Sequence, residues 1–209
     1  MYDGSSLSSV ANLSLSTRGN TRVGCLPGFI RLIRTFFYKI IVLEKGYNMI
    51  DATSVIDYSY SDFQEGIDHI VGHIKQSDFN PDFIVGIVRG GSVPAVYLSH
   101  RLKIPVQMIS WNTRDRVAWG NESNCFVPED IMSGKKVLLV DDIVDSGDTI
   151  RELLADWQTS VVTMGNLPVD NIRICSMIYN TAQSVIPHFY HRTINRDDDK
   201  RWVIFPWEA

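Results

Sequence analysis

Three aspartates follow an apolar run in the stretch KKVLLVDDIVDSGDTIRELL, Lys135 to Leu154: Asp141 and Asp142 side by side, and Asp145 three residues on. Carboxylates this close repel one another unless cations or hydroxyl donors offset the repulsion. An isolated Asp-Asp pair is most simply a turn or a cap, because aspartate hydrogen-bonds its own backbone. The residues that follow change that reading. Asp145-Ser146-Gly147-Asp148-Thr149 offers consecutive backbone N–H groups, a glycine that permits close approach, and two hydroxyls at the start of a helix. That is the chemistry of an anion cradle. The paired carboxylates can accept both hydroxyl hydrogens of a ribose, or help hold Mg2+ through oxygen ligands and water. A ribose site beside a phosphate site fits a sugar phosphate. No Gly-Lys-Ser/Thr is present here, so the stretch is not an ordinary P-loop.

Such residues need strand ends gathered on one side of a sheet. FIVGIV, Phe83 to Val88, is an almost wholly apolar run of the kind buried on both faces, bounded before by Asn80-Pro81 and after by Arg89-Gly90-Gly91. Ahead of it, helical spacing of Phe63, Ile67, Ile70, Val71 and Ile74 predicts a helix from Ser61, with Ser61 as cap and Gln64 three residues on. SVPAVYLSHRL predicts a helix with Pro94 near its start and Val96, Leu98 and Leu102 as packing positions, and IPVQMIS predicts the next strand. Strand, helix, strand implies a right-handed parallel crossover. KKVLLV predicts a further buried strand, so that Asp141 and Asp142 emerge after Val140 at the crevice where open parallel sheets bind ligands. TIRELLADWQ then predicts a helix and IRICSMIY a strand, while HFYHRT and RWVIFP could form an edge or a small terminal subdomain. The fold class expected is α/β, a mainly parallel central sheet flanked by helices. Trp111 to Gly134 is polar, aromatic and poorly periodic, and a loop of that length in a compact domain is usually a functional lid or disordered.

The charge is unevenly spread. Up to Asn48 the chain carries six Lys/Arg against two Asp/Glu, and after it fourteen against twenty-two. An acidic domain is a poor match to non-specific nucleic-acid binding, which depends on Lys and Arg neutralising phosphates. Cys25, Cys125 and Cys175 are scattered and odd in number, which argues against a disulfide framework and for a reducing cytoplasm. Residues 1–48 form an expected N-terminal extension: a Ser-, Asn- and Gly-rich start without fixed structure, then GFIRLIRTFFYKIIVL, read as an amphipathic surface helix or packing extension rather than a membrane span. Organised patterning begins only after Met49, a candidate natural start, and residues 49–209 are expected to form one domain.

VLLVDDIVDSGDT, Val137 to Thr149, resembles along its whole length the ribose-5-phosphate signature of the type I phosphoribosyltransferases. The resemblance implies phosphoribosyl pyrophosphate (PRPP) as co-substrate and Mg2+ as metal. Asp141 and Asp142 then correspond to the carboxylates that hold ribose hydroxyls and organise the metal. Asp145 corresponds to a catalytic residue near the purine imidazole ring that takes part in proton transfer, and Asp145, Ser146, Gly147, Asp148 and Thr149 to the loop that receives the 5-phosphate. VRGG is similar to the family's pyrophosphate loop, assigning Arg89, Gly90 and Gly91 to PRPP. The family often has a cis peptide there, which would fall at Val88-Arg89.

The terminal RWVIFPWE resembles the C-terminal hood of the microbial xanthine-guanine and hypoxanthine phosphoribosyltransferases, with Trp202 stacking on the purine and the Val203 backbone at the base edge. In that subgroup a lysine contacts the purine 6-oxo group; Tyr179 stands at the aligned position and is the third base-binding candidate. The expected lid would bring Arg114 or Arg116 to the pyrophosphate on closure. The implied activity is transfer of the phosphoribosyl group to a purine base, xanthine, guanine or hypoxanthine, in purine salvage, by a dimer or tetramer without nucleic-acid or membrane partners. The alternatives are a regulatory PRPP-binding module of the same fold, or a transferase for another base.

Overall fold

The computed structural model describes residues 55–111 and 126–208, all within one compact unit, Asp51–Ala209. The N-terminal extension and the expected lid residues Arg114 and Arg116 lie outside the described residues. The apolar runs of the sequence become strands of a five-stranded, all-parallel sheet. These strands are β2 (Phe83–Val88), β3 (Val106–Ser110), β4 (Val137–Val144), β5 (Ile172–Asn180) and β6 (Phe189–Ile194). They are ordered β3-β2-β4-β5-β6. A parallel sheet needs cover on both faces, and two core clusters provide it. One face carries α1 (Tyr60–Gln76) and α2 (Ser92–Leu102), contributing Phe63, Ile67, Ala95 and Leu98. The other carries α3 (Phe126–Met132) and α4 (Asp148–Ser160), contributing Val127, Ile131, Leu153 and Trp157.

Several boundaries differ from the sequence reading for identifiable reasons. Helix α1 is capped by Ser59, not Ser61: Ser59 is extended, its hydroxyl accepts from the Asp62 N–H, and the Asp62 carboxylate accepts from the Ser59 N–H. Aspartate fills the place expected of Glu or Gln, which hid the box. In α2, Val96 is exposed rather than packed, while Pro94, Ala95 and Leu98 take the buried stripe. The last part of the expected lid is helix α3, with Val127 and Ile131 fully buried, and Trp111 at its other end joins the core.

Strand β4 does not end at Val140. Its pairing with β2 stops at Gly86↔Val140, but pairing with β5 continues through Asp141↔Ser176 to Val144↔Tyr179. HFYHRT joins the main sheet as its edge, and RWVIFP does not. β7 (Trp202–Ile204) pairs instead with β1 (Val55–Asp57) as a separate parallel ribbon, the hood. Phe205 anchors it, stacked on Trp207 at 5.0 Å and packed on Tyr58 at 5.3 Å. Among the described residues no helix is long and apolar enough to cross a membrane.

Ile67 is fully buried on the face of α1 turned to the sheet. Replacing it with alanine removes three methyl or methylene carbons and leaves a cavity. Denaturant unfolding of Ile67→Ala is expected to show a loss of about 2–5 kcal/mol.

Candidate active site

The strand order reverses between β2 and β4: β2 runs to β3 through α2 on one face, and β4 runs to β5 through α4 on the other. A sheet of this kind opens a crevice at that reversal, outside the carboxyl ends of the strands. Past Val140, β4 has lost β2 as a neighbour. The gap is filled by the turn that follows β2, in which the Val88-Arg89 peptide is cis. A Cβ on Gly90 would lie 2.1 Å from Oδ2 of Asp142, and one on Gly91 would lie 2.3 Å from the Val140 carbonyl oxygen. Glycine is required at both positions because the turn lies directly against the acidic pair. Arg89 stands exposed at its tip.

Asp141 and Asp142 are half-buried, and each accepts from the next backbone amide, Asp142 N–H at 3.0 Å and Ile143 N–H at 2.8 Å. Desolvation, with the charge of Asp142 added, pushes the Asp141 carboxyl well above the ordinary carboxylate range. Desolvation also raises Asp142, to about 6, against the lowering effect of hydrogen bonds from its neighbours, with the Glu208 charge adding to the rise. Among the described residues neither is ion-paired with Lys or Arg. Two close carboxylates desolvated without a cation form a site poised for a ligand that donates hydrogen bonds or brings positive charge.

The bend after β4 is built for close approach. Gly147 has φ 77°, the left-handed region, and α4 starts at the next residue. Ser146 Oγ donates to Asp148 Oδ2 at 2.7 Å, and Arg151 Nη2 binds Asp148 Oδ1 at 2.5 Å and the Ser146 carbonyl at 2.9 Å. The Ser146 and Arg151 bonds hold the Asp148 carboxyl below its usual range. Asp148 therefore braces the bend, while the bend's backbone and Thr149 lie at the N-terminus of a 13-residue helix, where anions are favoured.

Asp145 is drawn toward the other half of the sheet. Asn180, 1% exposed at the end of β5, donates from Nδ2 to Asp145 Oδ1 at 3.1 Å. Asn180 Oδ1 accepts from the N–H of Ala182 at 3.0 Å and of Arg196 at 3.1 Å. The Arg196 guanidinium donates from Nε to Asp145 Oδ1 at 3.3 Å and from Nη1 to the Arg201 carbonyl, one residue before β7. Tyr179, expected at the base corner, points the other way. Successive strand residues face opposite sides, and its ring lies in the core on the α3/α4 face, 5.5 Å from the Tyr190 ring, with its hydroxyl donating to the Gln183 carbonyl at 3.4 Å. Asn180, one residue further, is the one turned to Asp145. On β7, Trp202 is 45% exposed while Val203 is buried beneath it.

The described residues thus bring Arg89, Gly90, Gly91, Asp141, Asp142 and the bend from Asp145 to Thr149 to the carboxyl ends of neighbouring strands, and tie the hood to Asp145. Asn180, Arg196 and Glu208 were missed from sequence. Asn180 was legible as a polar residue closing an apolar strand; Arg196 sits in the mixed-charge polar run NRDDDKR and carries no signal of its own.

The sequence model of the phosphoribosyl transferase domain matches residues 59–207. Among solved structures, a purine phosphoribosyltransferase from Pyrococcus horikoshii Ot3 is similar at 25% identity, over 75% of this chain and 95% of that one, with a TM-score of 0.56. A Helicobacter pylori xanthine-guanine-hypoxanthine phosphoribosyltransferase is similar at 20% identity over 74% and 94%, TM-score 0.54. A hypothetical protein from Neisseria gonorrhoeae with bound ppGpp is similar at 21% identity over 78% and 92%, TM-score 0.58. No curated protein matches the chain.

The acidic pair has a pH signature. Asp142 titrates near 6 when folded, above its ordinary 3.8, so the folded state holds the proton more tightly. Its favourable contribution is full below the ordinary value and is lost as the pH rises through about 6. Thermal melts of chelator-treated protein should show Asp142→Asn more stable than the parent at about pH 8, with the gap closing toward about pH 4. A gap of the same size at both ends would mean that the carboxyl is not desolvated.

Proposed function

The chain belongs to the phosphoribosyl transferase domain family, and on that premise we propose that it transfers the phosphoribosyl group of PRPP to xanthine, guanine or hypoxanthine. The products are pyrophosphate and a purine nucleoside monophosphate. The observation that carries this reading is the meeting of the acidic pair, the Arg89-Gly90-Gly91 turn and the Asp145 bend at the β2/β4 reversal, with an aromatic hood fastened to the bend. We place the activity in cytoplasmic purine salvage, in a homo-oligomer.

In this reading Asp141 and Asp142 accept the ribose hydroxyl hydrogens, which adds hydroxyl donors to the backbone amide that each carboxylate accepts from. The backbone of Ser146 and Gly147, with Thr149 and the N-terminus of α4, receives the 5-phosphate, and Asp148 holds that bend in shape. The backbone of Gly90 and Gly91 and the guanidinium of Arg89 take the pyrophosphate. Trp202 covers the purine and the Val203 backbone meets its edge, with Asn180 rather than Tyr179 facing the base corner.

Among the described residues no group of three or more His, Cys, Asp or Glu could hold a metal unaided. Mg2+ is commonly bound by one or two carboxylates completed by substrate oxygens and water, and the donor set of Asp141 and Asp142 fits that habit. When bound, it would offset the negative charge of the departing pyrophosphate. As the bond to C1 breaks, positive charge grows on the ribose, and fixed carboxylates beside the sugar lower the cost of that charge. Asp145 accepts the proton from a nitrogen of the purine's imidazole ring, a role that depends first on placement.

Incubation with Mg2+, PRPP and a panel of bases, followed by product chromatography, tests the reading. Nucleotide is expected from at least one of xanthine, guanine and hypoxanthine and from neither orotate nor uracil. Product from orotate, or tight nucleotide binding without turnover of any purine, would replace the proposal with a transferase for another base or with a regulatory module.

A further inference from the structure

We propose that Arg196 is a positioning residue for the transfer reaction, holding the Asp145 carboxylate at a set distance from the base-covering strand β7. The inference rests on the proposed reaction and goes beyond it, because Arg196 lies outside each of the motifs that led to that reading. Three bonds define its position. Its N–H is held by Asn180 Oδ1 at 3.1 Å, its Nε donates to Asp145 Oδ1 at 3.3 Å, and its Nη1 donates to the Arg201 carbonyl. Asn180 adds a second donor to the same Asp145 oxygen at 3.1 Å. Two donors on one oxygen, one from the end of β5 and one from the loop between β6 and β7, stop the carboxylate from rotating and so fix the direction of Oδ2.

The surroundings argue against an incidental surface contact. The Arg196 and Asp145 side chains are 18% and 27% exposed, whereas the cations of the other ion pairs among the described residues are all 45% exposed or more. Solvated pairs contribute little, and a partly desolvated one is screened less. Nor does the loop from β6 to β7 need this bond to keep its shape. Asn195 Nδ2 donates to Asp198 Oδ2 at 2.8 Å, the Asp199 N–H donates to the Asn195 carbonyl at 2.8 Å, and Arg201 grips the Asp199 carboxylate through Nε and Nη2. Arg201 also holds the Asp199 carboxyl down to about 2. What Arg196 adds is a link from the catalytic candidate on the β4 bend to the carbonyl that precedes Trp202. Of Asp141, Asp142 and Asp145, only Asp145 has a guanidinium paired with it among the described residues.

Steady-state kinetics of Arg196→Gln and Arg196→Lys, with melting curves for both, test the assignment. Arg196→Gln should lose kcat on the order of 10–100-fold, as expected for removal of a charge-assisted hydrogen bond. The KM for the base should rise, and the KM for PRPP should stay within about twofold. Arg196→Lys, which keeps the charge, should recover part of kcat. An active parent with an unchanged Arg196→Gln variant sinks the inference alone. So do variants that lose PRPP affinity and kcat together with a lowered melting temperature, since that pattern reports loop packing only. A parent inactive with every purine removes the underlying reading, and the inference falls with it.

Discussion

Two carboxylates that pair with no Lys or Arg among the described residues lie where β4 parts from β2, and the neighbourhood is arranged around them. Desolvation raises both Asp141 and Asp142, which means that the fold holds them in a state that favours protonation or a ligand. The parallel sheet is what makes this possible. Strand β4 is anchored on both sides as far as Val140 and on one side beyond it, so the acidic pair has a strand's rigidity and a crevice's access. Gly90 and Gly91 complete the arrangement, because any side chain there would displace Asp142 or the backbone of β4.

The rest of the site couples to this pair from two directions. The Asp145 bend continues from the same strand and delivers a helix N-terminus to the crevice. The hood comes from a separate ribbon, yet it reaches both centres: Glu208 adds its charge at Asp142, and the Arg201 carbonyl is held by the same guanidinium that holds Asp145. In the proposed function, the sugar phosphate, its leaving group and the flat base are shared among these parts. Tyr179, the residue aligned with the lysine of the purine enzymes, turns into the core, while its neighbour Asn180, neutral and buried, faces Asp145, and Arg196 brings a guanidinium to the same carboxylate from the loop after β6.

Much of this was legible in the residues. FIVGIV and SVPAVYLSHRL match β2 and α2 residue for residue, because a doubly buried strand and a proline-started helix leave unambiguous patterns. The Val88-Arg89 cis peptide falls where the family resemblance implied it. What escaped depended on neighbours that are distant in sequence. The extension of β4 past Val140 is decided by β5, which is more than thirty residues away. The separation of β7 from the main sheet is decided by its pairing with β1. The choice between Tyr179 and Asn180 is a one-residue matter of strand facing, and a strand buried on both sides carries no alternation from which to read it. Arg196 gains meaning only from the carbonyl and carboxylate between which it lies.

The central claim is that the acidic pair, the glycine turn and the phosphate bend receive one ligand together. Amide NMR of 15N-labelled protein titrated with Mg2+ and PRPP measures this most directly. Resonances of Gly90 and Gly91 and of Ser146 through Thr149 should shift in concert and follow a single dissociation constant, with Ile143 moving alongside them. Shifts confined to one of the two loops, or two dissociation constants that separate them, would contradict a shared site.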